Sequence, residues 1–235
     1  MKKKKAKKNK ELLEIFRVKS MEKIKTKDGS ETFRNEELDE TYHSISGAKE
    51  ESVKKFVEPC LIKEKCLNGE IVILDFCFGL GYNSCAAIDA IIDINSDCNV
   101  KIIGIEKDVE ILKKILELNP PFKNYSIIKE AAKKRKYESD KINIYLIVDD
   151  ASKVIKKLSY KFDTVFFDPF SPKKSPLLWT EEVFKDVFKL MKKDSILATY
   201  SCARIVRDNM KNAGFIVKDG PIVGRKSPGT IGIKL

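Results

Sequence analysis

Residues 71–81, Ile71-Val72-Ile73-Leu74-Asp75-Phe76-Cys77-Phe78-Gly79-Leu80-Gly81, join an unbroken apolar run to a glycine turn. Apolar residues without alternation are typical of a strand that is buried on both faces, as in a parallel sheet. Glycines let the chain adopt positive φ angles and approach a ligand closely. Ser84 stands where the dinucleotide pattern G-x-G-x-x-G has its third glycine, so that pattern is absent. The stretch predicts a strand, a tight turn and a helix through residues 86–91.

The same order of elements repeats downstream. Apolar runs predict strands at 101–105, 145–148, 164–167 and 196–200, and helical patterns follow at 108–118, 152–158, 180–191 and 204–213. Residues 215–218 and 230–234 are expected to add two closing strands. Strands that alternate with helices predict a Rossmann-like α/β fold, with a mostly parallel seven-stranded sheet flanked by helices. Ligands of such sheets bind beyond the carboxyl ends of the strands.

The N-terminal part has a different composition. Residues 1–10 contain seven lysines and no acid, and so carry seven of the eleven net positive charges. We expect a disordered tail there, which either aids solubility or binds a polyanion. Residues 11–60 are expected to form a small β appendage with a turn at Asp28-Gly29, followed by a helix from Ser46 or Gly47 to near Pro59. Residues 61–235 would form the main domain.

Composition excludes several classes of protein. The 235 residues are 43% hydrophobic and 34% charged, which suits a globular domain and argues against general disorder. No apolar run approaches the roughly 18 residues of a membrane helix, and no secretory signal is visible, so we expect a cytoplasmic protein without a membrane partner. Six cysteines without a C-x-x-C pair, and a single histidine, His43, predict no metal site.

Acidic residues stand at the ends of successive predicted strands. Glu106 ends the second strand, where a carboxylate commonly accepts hydrogen bonds from ribose hydroxyls. Asp149 and Asp150 end the third, where either could receive an adenine amino group, although Asp150 could instead cap the next helix. The sequence lacks the phosphate-binding pattern G-x-x-x-x-G-K-[ST]. A nucleoside cleft without a phosphate cradle indicates S-adenosyl-L-methionine as the cofactor.

The fourth strand ends in Asp168-Pro169-Phe170-Ser171-Pro172. A carboxylate here can hold an amine through its N–H group and accept a proton during group transfer. The prolines restrict the backbone and so preorganise that carboxylate. Further along, Trp179 is expected either to pack on Phe184 as a hydrophobic staple or to stack on a base.

Six stretches together resemble the methyltransferase half of the bifunctional MnmC tRNA-modification family: 42–44 (YHS), 47–51 (GAKEE), 75–83 (DFCFGLGYN), 168–179 (DPFSPKKSPLLW), 197–200 (LATY) and 224–226 (GRK). The resemblance runs from about residue 12 to the end. It implies a class I methyltransferase fold and methylation of the aminomethyl group of 5-aminomethyl-2-thiouridine at the tRNA wobble position. The family's flavin-dependent oxidase half has no counterpart in 235 residues. The stand-alone form is therefore implied, without FAD, and an upstream enzyme would supply the aminomethyl precursor.

The resemblance also implies roles for matching residues. Asp168 would face the acceptor amine. Cofactor contacts are expected from Tyr42, Ser46, Asp75, Cys77, Gly79, Gly81, Asn83, Glu106 and either Asp149 or Asp150, with Cys77 replacing the first glycine of the usual signature. The wobble base would leave its stack to reach the cleft. Contacts to the tRNA anticodon stem-loop are expected from Phe170, Lys173, Lys174, Trp179, Arg204, Arg207, Arg225 and Lys226. The alternatives are a small-molecule amine methyltransferase, such as one acting on polyamines, and a non-catalytic RNA-binding module.

Overall fold

A computed structural model describes residues 21–235. The predictions for the lysine-rich tail at 1–10, and for residues 11–20 of the appendage, lie outside the described residues. Within residues 21–235, no helix is long and apolar enough to cross a bilayer.

The centre of the molecule is an eight-stranded mixed sheet in the order β10-β11-β9-β8-β4-β5-β7-β6. Five strands run parallel: β4 (Glu70–Phe76), β5 (Asn99–Ile105), β7 (Ile142–Ile147), β8 (Phe162–Phe167) and β9 (Met191–Thr199). Antiparallel strands complete both edges: β6 (Lys136–Glu138), β10 (Ile216–Asp219) and β11 (Thr230–Lys234). The mostly parallel fold is confirmed. The sheet has eight strands rather than seven because β6, a short polar edge strand, carries no apolar run that a sequence pattern could reveal.

Alternate residues of the parallel strands fill two separate cores, one on each face of the sheet. Ile71 and Ile73 of β4 pack into one hydrophobic cluster, and Leu74 and Phe76 pack into the other. Period-two alternation on a strand that is covered on both sides explains why the sequence shows an unbroken apolar run.

Helices cover both faces of the sheet. They are α1 (Ala48–Ser52, continued by a π-helical turn at Val53–Val57), α2 (Ile62–Lys65), α3 (Tyr82–Ile94), α4 (Val109–Lys114), α5 (Tyr125–Lys134), α6 (Ala151–Val154), α7 (Glu181–Leu190) and α8 (Arg204–Asn212). Sequence analysis did not predict α5. Its buried side chains, Tyr125, Ile128, Ala131 and Ala132, form a narrow stripe among lysines, which gives a weak apolar signal.

A small antiparallel sheet precedes the main domain. It consists of β1 (Met21–Lys25), β2 (Glu31–Asn35) and β3 (Glu40–Thr41). The β1–β2 turn contains Gly29 at φ 83°, and the Asp28 carboxylate accepts hydrogen bonds from Thr26 Oγ1 and the Ser30 amide. This sheet is tied to the main domain because the Tyr82 hydroxyl donates to the Glu31 carbonyl over 2.6 Å. Residues 42–44, which follow β3, share a cavity with the residues at the carboxyl ends of β4, β5 and β8.

Candidate active site

A cavity of about 810 Å³ lies at the carboxyl ends of the parallel strands. Its wall is formed by the turn after β4, the end of β5, the start of α6, the loop after β8 and residues 42–44 beyond β3. Ligand pockets for small molecules usually have volumes of roughly 300–1,000 Å³, so this cavity can hold a nucleoside-sized ligand.

The turn after β4 depends on three residues with positive φ: Cys77 at 69°, Gly79 at 54° and Gly81 at 71°. A Cβ atom at Gly81 would lie 2.6 Å from Ile128 Cγ2 and 2.7 Å from Phe78 Cζ, so only glycine fits there. Cys77 adopts the left-handed conformation despite its side chain, and it lines the cavity with Gly79. The turn thus lets bare backbone form part of the cavity wall.

Glu106 follows β5 and its carboxylate holds this turn in place. Oε2 accepts from the Gly79 amide over 2.9 Å, and Oε1 accepts from the Asp108 amide over 2.8 Å. Glu106 is only 8% exposed, and this burial raises the pKa of its carboxyl group. Each carboxylate oxygen has a second lone pair, so the side chain can still accept two hydrogen bonds from neighbouring hydroxyls. Glu106 therefore suits a ribose diol.

The two acids after β7 are placed differently. Asp150 lies in the cavity wall and caps α6, since its Oδ1 accepts from the Ser152 amide over 2.9 Å. Asp149 is exposed, does not line the cavity, and accepts a hydrogen bond from the Asp150 amide over 2.7 Å. Of the two acids left open by the sequence, Asp150 lines the cavity and Asp149 does not.

Asp168 lies in the cavity wall immediately after β8. Its amide donates to the Phe76 carbonyl over 3.1 Å, and its Oδ2 accepts from Asn83 Nδ2 over 2.9 Å. Burial, with a smaller contribution from the Glu51 carboxylate, raises the pKa of Asp168 to about 7. A carboxyl group with this pKa can accept a proton near neutral pH.

Comparison with known proteins identifies the family to which this chain belongs. Residues 113–235 match the family described as S-adenosyl-L-methionine-dependent methyltransferase. The chain belongs to this family. The crystal structure of MnmC2 from Aquifex aeolicus is 34% identical in sequence and superposes with a TM-score of 0.81, covering 92% of this chain and 71% of that one. The expected class I methyltransferase fold and the resemblance to the MnmC methyltransferases are confirmed.

Two sequence relatives differ in length from this methyltransferase. The uncharacterized protein MJ0670 of Methanocaldococcus jannaschii is 34% identical over 218 residues, which are 90% of this chain and 59% of that protein. The tRNA 5-methylaminomethyl-2-thiouridine biosynthesis bifunctional protein MnmC of Leptospira interrogans is 26% identical, over 84% of this chain and 33% of its own length. The chain thus spans between one third and about three fifths of these two relatives.

The methyltransferase cavity contains a buried ion pair, Lys55–Glu51, that no sequence pattern predicted. Lys55 Nζ donates to Glu51 Oε1 over 2.6 Å, and Glu51 Oε2 accepts from the Ser44 amide over 2.8 Å. The side chains of Lys55 and Glu51 are only 4% and 12% exposed, yet both residues line the cavity. Their i, i+4 spacing was the available signal, but such pairs usually lie on solvated helix faces.

His43 lies beside this charge pair. It is buried, its ring stacks on that of Tyr82 with a centroid distance of 4.9 Å, and burial lowers the pKa of His43 to about 4. The imidazole is therefore neutral near pH 7.

Four of the predicted cofactor residues lie behind the cavity wall. Asp75 is fully buried and accepts from Ser84 Oγ over 2.6 Å, and Asn83 donates to the Asp168 carboxylate. Gly81 shapes the turn, and Ser46 pairs with the wall residue Ser44 over 2.6 Å between hydroxyl oxygens.

Tyr42 does line the cavity. Its ring packs edge-on against Phe170 with a centroid distance of 4.9 Å, and its hydroxyl lies 3.4 Å from Asp108 Oδ2. Burial raises the pKa of Tyr42, so its phenol remains protonated. The segment beyond β3 is thus joined to the loop after β8 across the cavity.

The residues expected to contact tRNA lie in different places relative to the cavity. Phe170, Lys174 and Arg225 line the cavity, and Lys173 and Lys226 are exposed beside them in sequence. The side chain of Arg204 is 95% exposed, 3.5 Å from the Asp208 carboxylate.

Trp179 and Arg207 both make contacts within the protein. Trp179 is 3% exposed, its Nε1 donates to the Phe170 carbonyl over 2.8 Å, and its ring centroid lies 6.4 Å from that of Phe184, which is the hydrophobic-staple arrangement. Arg207 forms an ion pair with Asp219 at 2.6 Å and donates to Thr230 Oγ1 over 3.1 Å. Both side chains are occupied by contacts within the protein.

Proposed function

We propose that this chain transfers a methyl group from S-adenosyl-L-methionine to the aminomethyl nitrogen of 5-aminomethyl-2-thiouridine at the tRNA wobble position, giving 5-methylaminomethyl-2-thiouridine. The name of the Leptospira relative, which specifies tRNA 5-methylaminomethyl-2-thiouridine biosynthesis, supports this substrate. So does the likeness to MnmC2 from Aquifex aeolicus.

The observation that carries the proposal is the Asp168 carboxyl group in the cavity wall, with its pKa raised to about 7. When bound, the cofactor supplies a methyl group on a sulfonium sulfur, which is already activated for transfer. Asp168 holds the uncharged substrate amine by accepting a hydrogen bond from its N–H. It then takes the proton that the nitrogen loses once the new N–C bond has formed. Orientation and proximity are the main contributions of the protein to such a step.

The cofactor would be held by the residues of the turn and the strand ends. Glu106 would accept hydrogen bonds from the ribose hydroxyls, and Asp150 would meet the adenine amino group. Gly79 and Cys77 would pass beneath the methionine part, where bare backbone leaves room for it. We further propose that the described part of the N-terminal appendage, residues 21–60, covers the cofactor, which the position of Tyr42 in the wall supports.

The cavity wall contains more acids than bases, so its overall charge does not by itself select a polyanion. Two of these acids, Glu40 and Glu51, are engaged by hydrogen bonds from Ser171 and from Ser44 and Lys55. Lys174 and Arg225 also line the cavity, and Lys173 and Lys226 add positive charge next to them. We propose that these four basic residues contact phosphates of the anticodon stem-loop, which makes binding depend on salt.

The reaction would belong to a sequence of tRNA modifications in the cytoplasm. Its substrate is a primary amine on the wobble base, so another enzyme must generate the aminomethyl group first. The everted wobble base would enter the cavity next to Asp168.

Methyl transfer can be tested with radiolabelled S-adenosyl-L-methionine and tRNA from cells blocked at the aminomethyl stage. We expect label in 5-methylaminomethyl-2-thiouridine after nucleoside analysis. The matched control is tRNA from cells that cannot install the aminomethyl group, which should remain unlabelled. Label on both tRNAs would contradict the proposed acceptor.

Two other functions are separated by the same assay. A small-molecule amine methyltransferase would label free polyamines and would not need tRNA. A non-catalytic RNA-binding module would bind tRNA without transferring a methyl group. Calorimetry with S-adenosylhomocysteine would show no binding of the cofactor product to such a module.

A further inference from the structure

Leu177 is the most exposed large hydrophobic residue in the part of the chain that the structure describes, with 77% of its surface accessible. It also lines the mouth of the cavity. A leucine side chain gains favourable free energy when it leaves water, so packing Leu177 against a bound substrate would be favourable. We propose that Leu177 is an apolar wedge that packs against the base next to the everted wobble nucleotide. This inference rests on the proposed tRNA substrate.

The segment that presents Leu177 is rigid. Leu177 lies in a 3-10 turn, Pro176–Trp179, that begins with a proline. Before it, the amides of Lys174 and Ser175 both donate to the Ser171 carbonyl over 2.8 Å. Proline fixes φ, and these hydrogen bonds restrict the remaining backbone. The backbone of Leu177 is therefore restricted by the local structure.

Buried contacts anchor this turn at its far end. The Trp179 indole donates to the Phe170 carbonyl over 2.8 Å, and Asn209 Nδ2 donates to the Trp179 carbonyl over 2.8 Å. The Trp179 ring packs edge-on against Phe167, with centroids 5.2 Å apart. The deep burial of Trp179 thus holds its neighbour Leu177 outward at a set distance from the loop that carries Asp168.

The surroundings of Leu177 favour a nucleic acid as the partner. Lys173 and Lys174 precede it in the same loop, and Arg225 lines the same cavity. Lysines and arginines bind phosphates, and Leu177, with Pro176 and Leu178 beside it in the wall, offers an apolar surface suited to an unstacked base. When a base leaves its stack, the neighbouring base loses a partner surface, and a side chain inserted there replaces it. Leu177 has the exposure, position and rigidity for this task.

The experiment compares Leu177→Ser with Leu67→Ser. Leu67 is 65% exposed and lies before β4, outside the cavity wall, so it controls for the loss of a surface leucine. On an anticodon stem-loop that carries 5-aminomethyl-2-thiouridine, we expect Leu177→Ser to lower kcat/KM by about tenfold or more. Leu67→Ser should match the wild type, and Leu177→Met should restore most of the activity.

Two further measurements distinguish a Leu177 side chain that replaces a stacked base from one that only lines the cavity. On an unstructured trinucleotide with the same modified base, Leu177→Ser should match the wild type, because no stack has to be filled. A fluorescent base analogue beside the wobble nucleotide should brighten when the wild type binds, and it should remain dim with Leu177→Ser. Equal loss on the trinucleotide and the stem-loop, or equal activity of the Leu177→Ser and Leu67→Ser variants, would overturn the proposal. If the wild type transfers no methyl group to either RNA, the proposed function itself fails and the wedge fails with it.

Discussion

Asp168 is expected to set the pH dependence of methyl transfer. Its pKa is raised to about 7, first by burial and then by the nearby Glu51 carboxylate. With this value, roughly a tenth of the molecules carry an ionised Asp168 at pH 6 and roughly nine-tenths at pH 8. A base that acts only when ionised therefore predicts about a tenfold rise in kcat/KM between these two pH values.

Asp168→Asn removes the ionisable group while keeping the size of the side chain. The amide oxygen of asparagine can still accept the hydrogen bond from Asn83, so the loop after β8 should keep its position. The variant has no group to take the proton, and we expect its rate to fall about a hundredfold or more. It should also lose the part of the pH 6 to 8 rise that depends on Asp168. The assay is single-turnover transfer of a labelled methyl group across this range.

Glu51→Gln is the complementary variant. Removing the Glu51 carboxylate takes away a negative charge that raises the pKa of Asp168, so the activity rise should move to lower pH. If Asp168→Asn retained the wild-type rate and the full rise from pH 6 to 8 while binding S-adenosylhomocysteine normally, the role given to Asp168 would be refuted.

The same carboxyl group affects stability. Because the folded protein binds the Asp168 proton more tightly than the unfolded chain does, its contribution to stability is present below about pH 4 and is lost as the pH rises to about 7. Asp168→Asn should therefore gain stability relative to the wild type as the pH increases across this window. Urea denaturation at pH 5 and pH 8 measures the change.

Three other predictions concern the turn, the cofactor and the rim. Gly81→Ala should lower the free energy of unfolding in urea by about 2–4 kcal/mol, since it adds both a left-handed alanine and a steric clash at 2.6 Å. Gly29 also has a positive φ but has open space around it, so Gly29→Ala should lose only the free energy of placing an alanine in the left-handed conformation. Glu106→Gln should weaken S-adenosylhomocysteine binding by about tenfold or more in calorimetry. The carboxylate accepts hydrogen bonds from two backbone N–H groups, and the NH₂ group of glutamine would face one of these donors. The variant Asp149→Asn, at an exposed position, should bind S-adenosylhomocysteine normally. Lys174→Ala should lower the slope of log affinity against log salt for tRNA by about one; an unchanged slope would exclude a phosphate contact.

Local patterns in the sequence were sufficient to predict the main sheet and the positions of Glu106 and Asp168. Each of these acids directly follows a buried parallel strand, and all parallel strands of a sheet end at the same edge. Edge strand β6 has only three residues, and the buried stripe of helix α5 includes two alanines, and neither was predicted from the sequence. Their existence depends on the neighbouring strand β7 and on the core, which no local window contains.

The order of strands and helices, the glycine turn and the acids at the strand ends were determined by the sequence itself, since periodicity and φ preferences act over a few residues. Only the tertiary structure decided which polar side chains face the cavity. In the folded protein the Glu51–Lys55 pair is buried in the cavity wall, Asp75 is buried behind that wall, and the buried Trp179 ring anchors the loop after β8. The physical reason is that burial depends on which distant segments pack over a residue, and those contacts are set by the whole chain.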